Sequence, residues 1–397
     1  MKKICFFILC LIAFIPFIKA EETKENNEEI KDEVKEEKNK NELLSDGKSY
    51  ILIEESTGKV IYEKNSHERY APASMTKIVS MILIMEEINK GSLKWDEVLT
   101  TSEYASSMGG SQIFLQPNEK MSVKDLFKAV AIGSANDATV VFAERIAGTE
   151  EEFVNKMNKK VKELNLKDTN FKNATGLDAA NHYSSAYDMA ILAKELVKYD
   201  EIFKYTTIYE DYLRQDTDNK FWLVNTNKLI KTYDGADGLK TGYTKEAGYC
   251  LTATAKKNSM RLIGVIMGAS DSKLRNSNMG KLLDYGFNSY EMQVDIKKGD
   301  VVTKKEIPKS ENEVIEIITK DDAKVLKKKT EENKNLNYEL KLDTIKLPIK
   351  KGDKVGVLVL KDGDKIVNKV DLTVKENINK ASILKIYQRL LKSLVAG

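Results

Sequence analysis

The spacing of hydrophobic and polar positions changes several times along this chain, and each change marks an element. Tyr50-Ile51-Leu52-Ile53 and Lys59-Val60-Ile61-Tyr62 are β-prone runs around Ser56-Thr57-Gly58, a pattern that predicts a hairpin. An apolar stretch from Ile78 to Ile88 predicts a helix starting just after Ala71-Pro72-Ala73-Ser74. Residues 122–147 and 150–164 carry apolar positions at mixed spacings of three and four, which predicts further helices. Beyond Gly238, residues 249–255 and 261–268 predict paired strands. Sheet from both ends of this region would enclose helices from its middle, which is an α+β arrangement.

Near residue 292 the pattern changes. Up to about 375, short Val/Ile/Leu runs alternate with Lys, Asp and Gly, and Gly352-Asp353 and Asp362-Gly363-Asp364 are turn signals. This predicts a small all-β domain. From Lys380 onward, Ile383, Leu384, Tyr387, Leu390, Leu391 and Leu394 recur at helical spacing, interleaved with Lys385, Arg389 and Lys392. Such a basic amphipathic helix suits an anionic membrane surface, and it could also pack on its own domain.

The chain's first segment follows another rule. Lys2 and Lys3 precede an apolar run from Ile4 to Ile18, and Ala20 follows, as in a cleaved export signal. The run is short for a membrane span, which needs about 20 residues. Residues 21–42 are Glu, Lys and Asn with few apolar side chains, and read as a disordered tether or a solvated single helix. The expected division is 1–20 signal peptide, 21–46 charged linker, 47–291 catalytic domain, 292–376 β-rich domain and 377–397 amphipathic helix.

Charge and cysteine sharpen this picture. The formal net charge is +3, and removal of Lys2, Lys3 and Lys19 with the signal takes Lys plus Arg from 64 to 61, against 61 acidic residues. A near-neutral mature chain argues against a nucleic-acid binder. Cys5 and Cys10 leave with the signal, so Cys250 alone remains and no internal disulfide can form. His67 and His182 are the only histidines, too few for a histidine-rich metal site, and neither is assigned a proton-transfer role. No phosphate loop is visible, and neither metal nor cofactor is expected.

The candidate chemistry starts at Ser74-Met75-Thr76-Lys77. A serine and a lysine three apart at a helix start share a face. The lysine can take the serine proton only when neutral, and burial or nearby positive charge lowers its pKa toward that state. Ser134-Ala135-Asn136 and Lys240-Thr241-Gly242 follow in order, completing the three-part signature of penicillin-binding proteins and class A β-lactamases.

From about residue 49 to 290 the sequence resembles the low-molecular-mass penicillin-binding proteins, the D-alanyl-D-alanine carboxypeptidases. Ala71–Lys77, Phe171-Lys172-Asn173-Ala174-Thr175-Gly176-Leu177, Asp237–Gly242, Ala247-Gly248-Tyr249 and Met260-Arg261-Leu262-Ile263 carry the likeness. The resemblance implies a β-lactamase/transpeptidase-like catalytic domain, an antiparallel sheet with a helical cluster. It implies hydrolysis of the terminal D-alanyl-D-alanine bond of peptidoglycan stem peptides through an acyl-enzyme, and inhibition by β-lactam antibiotics. The implied nucleophile is Ser74 and the implied base Lys77. Ser134 would relay a proton to the leaving amine, Asn136 would orient Lys77 and the substrate amide, and Lys240 would keep the region electropositive. Substrate contacts are implied for Thr241, Gly242, Tyr243 and Arg275, with the amides of Ser74 and Tyr243 as oxyanion donors and Thr241 and Arg275 on the free carboxylate. The implied location is the outer face of the cytoplasmic membrane or the cell wall.

Two departures stand out. The middle motif has alanine at its centre, which adds only a methyl to the usual glycine. Tyr243 stands where some relatives carry histidine. A β-lactamase would need a base for deacylation, such as a Glu-x-x-Leu-Asn loop. Before Leu164-Asn165, Val161 takes the glutamate's place. A non-enzymatic peptidoglycan-binding scaffold would have lost a motif residue, and none is lost. Endopeptidase action on cross-bridges would use the same residues.

Overall fold

The computed structural model describes residues 43–395. The expected signal peptide and nearly all of the charged linker lie outside the described residues. The fold is α+β, with a five-stranded antiparallel sheet, a helical cluster, a second all-β layer and a terminal helix.

The first hairpin forms as expected from β1 (Ser49–Glu54) and β2 (Val60–Lys64). The C-terminal part of the catalytic region adds β3 (Ala236–Thr244), β4 (Gly248–Lys257) and β5 (Met260–Ala269), giving the order β2-β1-β5-β4-β3. The Lys-Thr-Gly motif lies within β3, at its fifth to seventh residues. That strand is an edge, so one side of its backbone is free to pair.

Helix α1 (Lys77–Lys90) runs through the centre of the helical cluster, and every residue from Lys77 to Met85 is buried. It stops at Gly91, whose φ of 77° suits a left-handed C-cap. Around it pack α2 (Asn136–Ala147), α3 (Glu150–Glu163) and α4 (Ala186–Leu196). Thr149 caps α3 by accepting from the Glu152 N–H, and Ser185 caps α4 by accepting from the Asp188 N–H. Helix α4 packs on β5 and β1, which joins cluster to sheet. Helix α5 (Ser272–Ser289) covers β4 and β5, with Asp271 as its N-cap. Periodicity alone does not mark α4 or α5.

The helix expected over 122–147 is broken. Val123–Lys128 is α-helical, Ala129–Gly133 makes a π turn, and α2 starts only at Asn136. Between them Ser134 takes φ 64°, and the Ala135 N–H reaches back to the Ala129 carbonyl at 3.1 Å. Apolar spacing continues through the break because both halves face one core, so the pattern could not reveal it. π turns of this kind are frequent at functional sites.

Strand Tyr290–Ile296 leaves α5 directly and pairs with Ala323–Lys328, straddling the expected boundary at 291/292. Five other strands beyond residue 300 form a second antiparallel sheet with its own core of Ile317, Leu358, Leu360, Leu372 and Val374. The terminal helix spans Ile383–Val395. Its Ile383, Leu384, Tyr387, Leu390 and Leu394 are exposed. Arg389 does not join the basic face expected for lipid. It donates to the carbonyls of Pro308, Ser310 and Glu311 and pairs with Glu313 at 3.1 Å. Among the described residues no helix is long and apolar enough to cross a membrane.

Candidate active site

Four chain segments meet at the start of α1. Ser74 lies in a short 3-10 turn, Ala73–Thr76, that leads directly into Lys77. The turn is tightly held. Gly176, at φ 87°, approaches so closely that a Cβ there would stand 1.9 Å from the Ala73 carbonyl oxygen. On the other side, a Cβ on Gly242 would lie 2.8 Å from the Pro72 oxygen and 3.2 Å from the Ser74 nitrogen. Only residues without a side chain permit both approaches. Edge strand β3 therefore lies against the serine turn.

Beneath it, His182 accepts the Lys172 N–H on Nδ1 at 3.1 Å, so its Nε2 carries the proton toward Thr76 Oγ1 at 2.8 Å. Burial lowers the imidazole pKa from 6.5 to about 4, which keeps it neutral. This histidine braces the turn. His67 stacks on Tyr187 and lies 3.5 Å from Asp168, in a separate surface cluster.

Lys77 is fully buried. Its Nζ donates to Ser74 Oγ at 3.3 Å, Asn136 Oδ1 at 2.6 Å and the Thr175 carbonyl at 2.6 Å. Burial, and then the charge of Lys240, hold its pKa well below the ordinary lysine value, while Asp137 and Glu150 oppose the shift. A neutral amine in reach of a serine hydroxyl can accept that proton.

The break before α2 delivers Ser134 and Asn136. Asn136 orients itself by donating from Nδ2 to the Gly109 carbonyl at 2.7 Å, leaving Oδ1 for Lys77. Ser134 Oγ is buried and has no hydrogen-bond partner among the described residues. Buried hydroxyls are usually paired, so an orphan in a cleft points to a missing ligand. Next to it, buried Asp137 accepts the N–H groups of Ile113 and Leu115, which shapes the loop carrying Gly109.

On β3, Lys240 is buried and donates to the Thr241 carbonyl at 3.1 Å. Burial, then the Arg275 charge, lowers its pKa to about 7. Thr241 Oγ1 donates to Thr226 Oγ1 at 2.8 Å. Arg275 is buried at the start of α5, where Nη1 donates to the Cys250 carbonyl at 3.3 Å while Nε and Nη2 donate to Asn276 Oδ1. Cys250 is the cross-strand partner of Gly242, so this guanidinium stands one strand behind the cleft edge. Tyr243 is exposed and stacks on Tyr249 with centroids 4.4 Å apart. Among the described residues no group of His, Cys, Asp or Glu could hold a metal ion.

Thr175, Thr226, Asp137, Gly109 and His182 were not singled out from sequence as parts of the site. The Asn173-Ala174-Thr175-Gly176 run carried a signal, because glycine there marks a close approach. Thr226 carried none.

A family model described as D-alanyl-D-alanine carboxypeptidase matches residues 35–271, and one described as penicillin-binding protein 5, C-terminal domain, matches residues 290–380. The chain belongs to the D-alanyl-D-alanine carboxypeptidase family. It is 53% identical over 353 residues to the Bacillus subtilis D-alanyl-D-alanine carboxypeptidase DacF, covering 89% of this chain and 91% of that one. The crystal structure of penicillin-binding protein 5 from Haemophilus influenzae superposes with a TM-score of 0.66 at 30% identity, over 84% of this chain and 97% of that one. Penicillin-binding protein D2 from Listeria monocytogenes, solved in its cefotaxime-bound form, matches with a TM-score of 0.53 at 30% identity, over 61% of this chain and 97% of that one. The protein is a serine-type D-alanyl-D-alanine carboxypeptidase, a hydrolase. At the place of a lactamase's deacylation glutamate, Val161 is buried within α3.

Proposed function

We propose that Ser74 attacks the carbonyl of the terminal D-alanyl-D-alanine bond of a peptidoglycan stem pentapeptide, with Lys77 as base. The observation that carries this reading is the fully buried Lys77 Nζ, 3.3 Å from Ser74 Oγ and held low in pKa. Lys77 takes the hydroxyl proton as the Oγ–carbon bond forms. The amides of Ser74 and Tyr243 receive the developing oxyanion, each donor contributing roughly 2.7–4 kcal/mol to the transition state. The packing of Gly242 against the turn supports this pairing. Ser134 Oγ, unpartnered in the cleft, relays the proton held by Lys77 to the leaving D-alanine amine as the C–N bond breaks, so Lys77 is neutral again and the Ser134 hydroxyl is restored. Water then attacks the ester and restores Ser74. The stem peptide lies along the free edge of β3, adding a strand to the sheet.

β-Lactams acylate the same serine and stay. The enzyme works on the exported side of the cytoplasmic membrane, directed there by residues 1–20 and held at the surface by the terminal helix. The catalytic unit is residues 47–291, with 292–376 as a β-rich support and 377–397 as the anchoring segment. The test is release of D-alanine from a stem pentapeptide. The wild type should release it and Ser74→Ala should not, and equal release by both would reject the nucleophile.

A further inference from the structure

Lys77 owes its position to two loops from distant parts of the chain. Its Nζ donates to the Thr175 carbonyl, next to Gly176, and to Asn136 Oδ1. Asn136 is itself held by the loop around Gly109. The Gly109 carbonyl accepts its Nδ2 at 2.7 Å, and the Ser111 carbonyl accepts its backbone N–H at 2.7 Å. The base is therefore only as well placed as these two loops.

Glu150, the first residue of α3, fastens both of them with one carboxylate. Oε1 accepts the Ala174 N–H at 2.8 Å, one residue before the Thr175 carbonyl. Oε2 accepts the Tyr104 hydroxyl at 2.6 Å. Tyr104 lies in the helical turn Glu103–Ser106, which leads into Gly109. This bond pushes the Tyr104 pKa up to about 12, so the phenol stays a donor at any working pH. The Ala174 carbonyl accepts from Ser80 Oγ at 2.8 Å, which ties the same segment to α1. Helix α3 does not depend on Glu150 for its start. Thr149 caps it, and Glu151 and Glu152 also stand in its first turn.

Glu150 also brings charge. The charged groups around Lys77 are Lys240 on β3, Asp137 on α2 and Glu150 on α3, and the two carboxylates favour the protonated amine. On its open side Glu150 shares a surface pocket with Tyr104, Glu151 and Lys172. Removing its hydrogen bonds frees the loops, whereas removing its charge alone makes Lys77 easier to keep neutral. Substitution separates the two effects.

We infer that Glu150 is a positioning residue for acylation, fixing the Thr175 carbonyl and the Gly109 loop around Lys77 through its bonds to Ala174 and Tyr104. The inference rests on the reading of Lys77 as the base. No covalent step is added, because Glu150 touches neither substrate nor nucleophile.

The experiment measures the rate constant of penicillin acylation against pH by rapid quench in the wild type, Glu150→Ala, Glu150→Gln, Tyr104→Phe and Lys77→Met. Glu150→Ala loses both bonds to the charged acceptor and should slow the high-pH plateau roughly 10- to 100-fold. Tyr104→Phe loses one of them and should slow it about 3- to 10-fold. Glu150→Gln keeps an acceptor for Ala174 and a partner for Tyr104, so its plateau should stay within about threefold of wild type. Its rising limb should move to lower pH, because a carboxylate that favoured protonated Lys77 is gone. A Glu150→Ala plateau at the wild-type rate would overturn the inference, whatever the variant's melting temperature. A rising limb that stays put or moves up in Glu150→Gln would overturn the placement of the carboxylate beside the base. If Lys77→Met were acylated as fast as wild type, the base itself would be misassigned and the inference would fall with it. The rate constant is read on the population that reacts, so partial unfolding does not imitate the effect.

Discussion

Lys77 and Lys240 are two buried lysines with one field between them, and their protonation states set the chemistry. Lys77 must be neutral to accept the serine proton, so acylation should rise with pH through its depressed pKa. Replacing it with methionine removes the base and should slow penicillin acylation by about 10²–10⁴-fold in a rapid-quench assay. Lys240, with its pKa near 7, loses charge as pH rises past that value. The kcat/KM for a free-acid substrate should therefore fall above about pH 7, and the fall should be much weaker for the amidated substrate. His182 gives a stability signature instead. Its folded pKa of about 4 lies below its ordinary 6.5, so the unfolded state binds the proton first. Stability is full above 6.5 and is lost as pH drops toward 4, by roughly 3 kcal/mol from this group. Thermal melts between pH 7 and 4 should show the loss, and His182→Gln should flatten it.

The serine turn, the π break and edge strand β3 position everything else, and they differ in how far sequence announced them. Strands β1, β4 and β5 and helix α1 are legible as continuous apolar runs, buried on both faces, whereas α3 is legible because it buries one face at helical spacing. The break at Ser134 was not, because apolar spacing runs through it and left-handed serine leaves no compositional mark. Motif order marked Ser74, Lys77, Ser134, Asn136 and Lys240 as one site, although their distances depend on tertiary approach. Thr226 and the Thr175 carbonyl stayed invisible, one being an ordinary residue type and the other a backbone atom. Glycine position offers a direct test. Gly176→Ala would push a Cβ to 1.9 Å from the Ala73 oxygen, whereas Gly91→Ala, at φ 77°, meets nothing within 4 Å. Gly91→Ala should cost only the left-handed penalty of about 1–2 kcal/mol. Gly176→Ala should add displacement of the serine turn, reducing acylation by penicillin as well as the melting temperature. Equal stability losses with unchanged acylation in both would contradict the turn's role.

At the scale of the molecule, a catalytic α+β unit, a β layer and an amphipathic helix each bury their own apolar residues except on the terminal helix. There Ile383, Leu384 and Leu394 stay exposed while Arg389 ties the helix back to the 308–313 segment. Truncation after Asn379 should abolish sedimentation with anionic vesicles and leave D-alanine release from a soluble pentapeptide near wild type. Retained sedimentation would show that the helix is not the membrane contact.

The most direct test of the central claim is intact-protein mass spectrometry after incubation with a β-lactam, followed by peptide mapping. The account predicts one adduct per chain, on the peptide bearing Ser74, absent from Ser74→Ala and formed much more slowly by Lys77→Met. No adduct on the wild type, or an adduct on another residue that persists in Ser74→Ala, would contradict it.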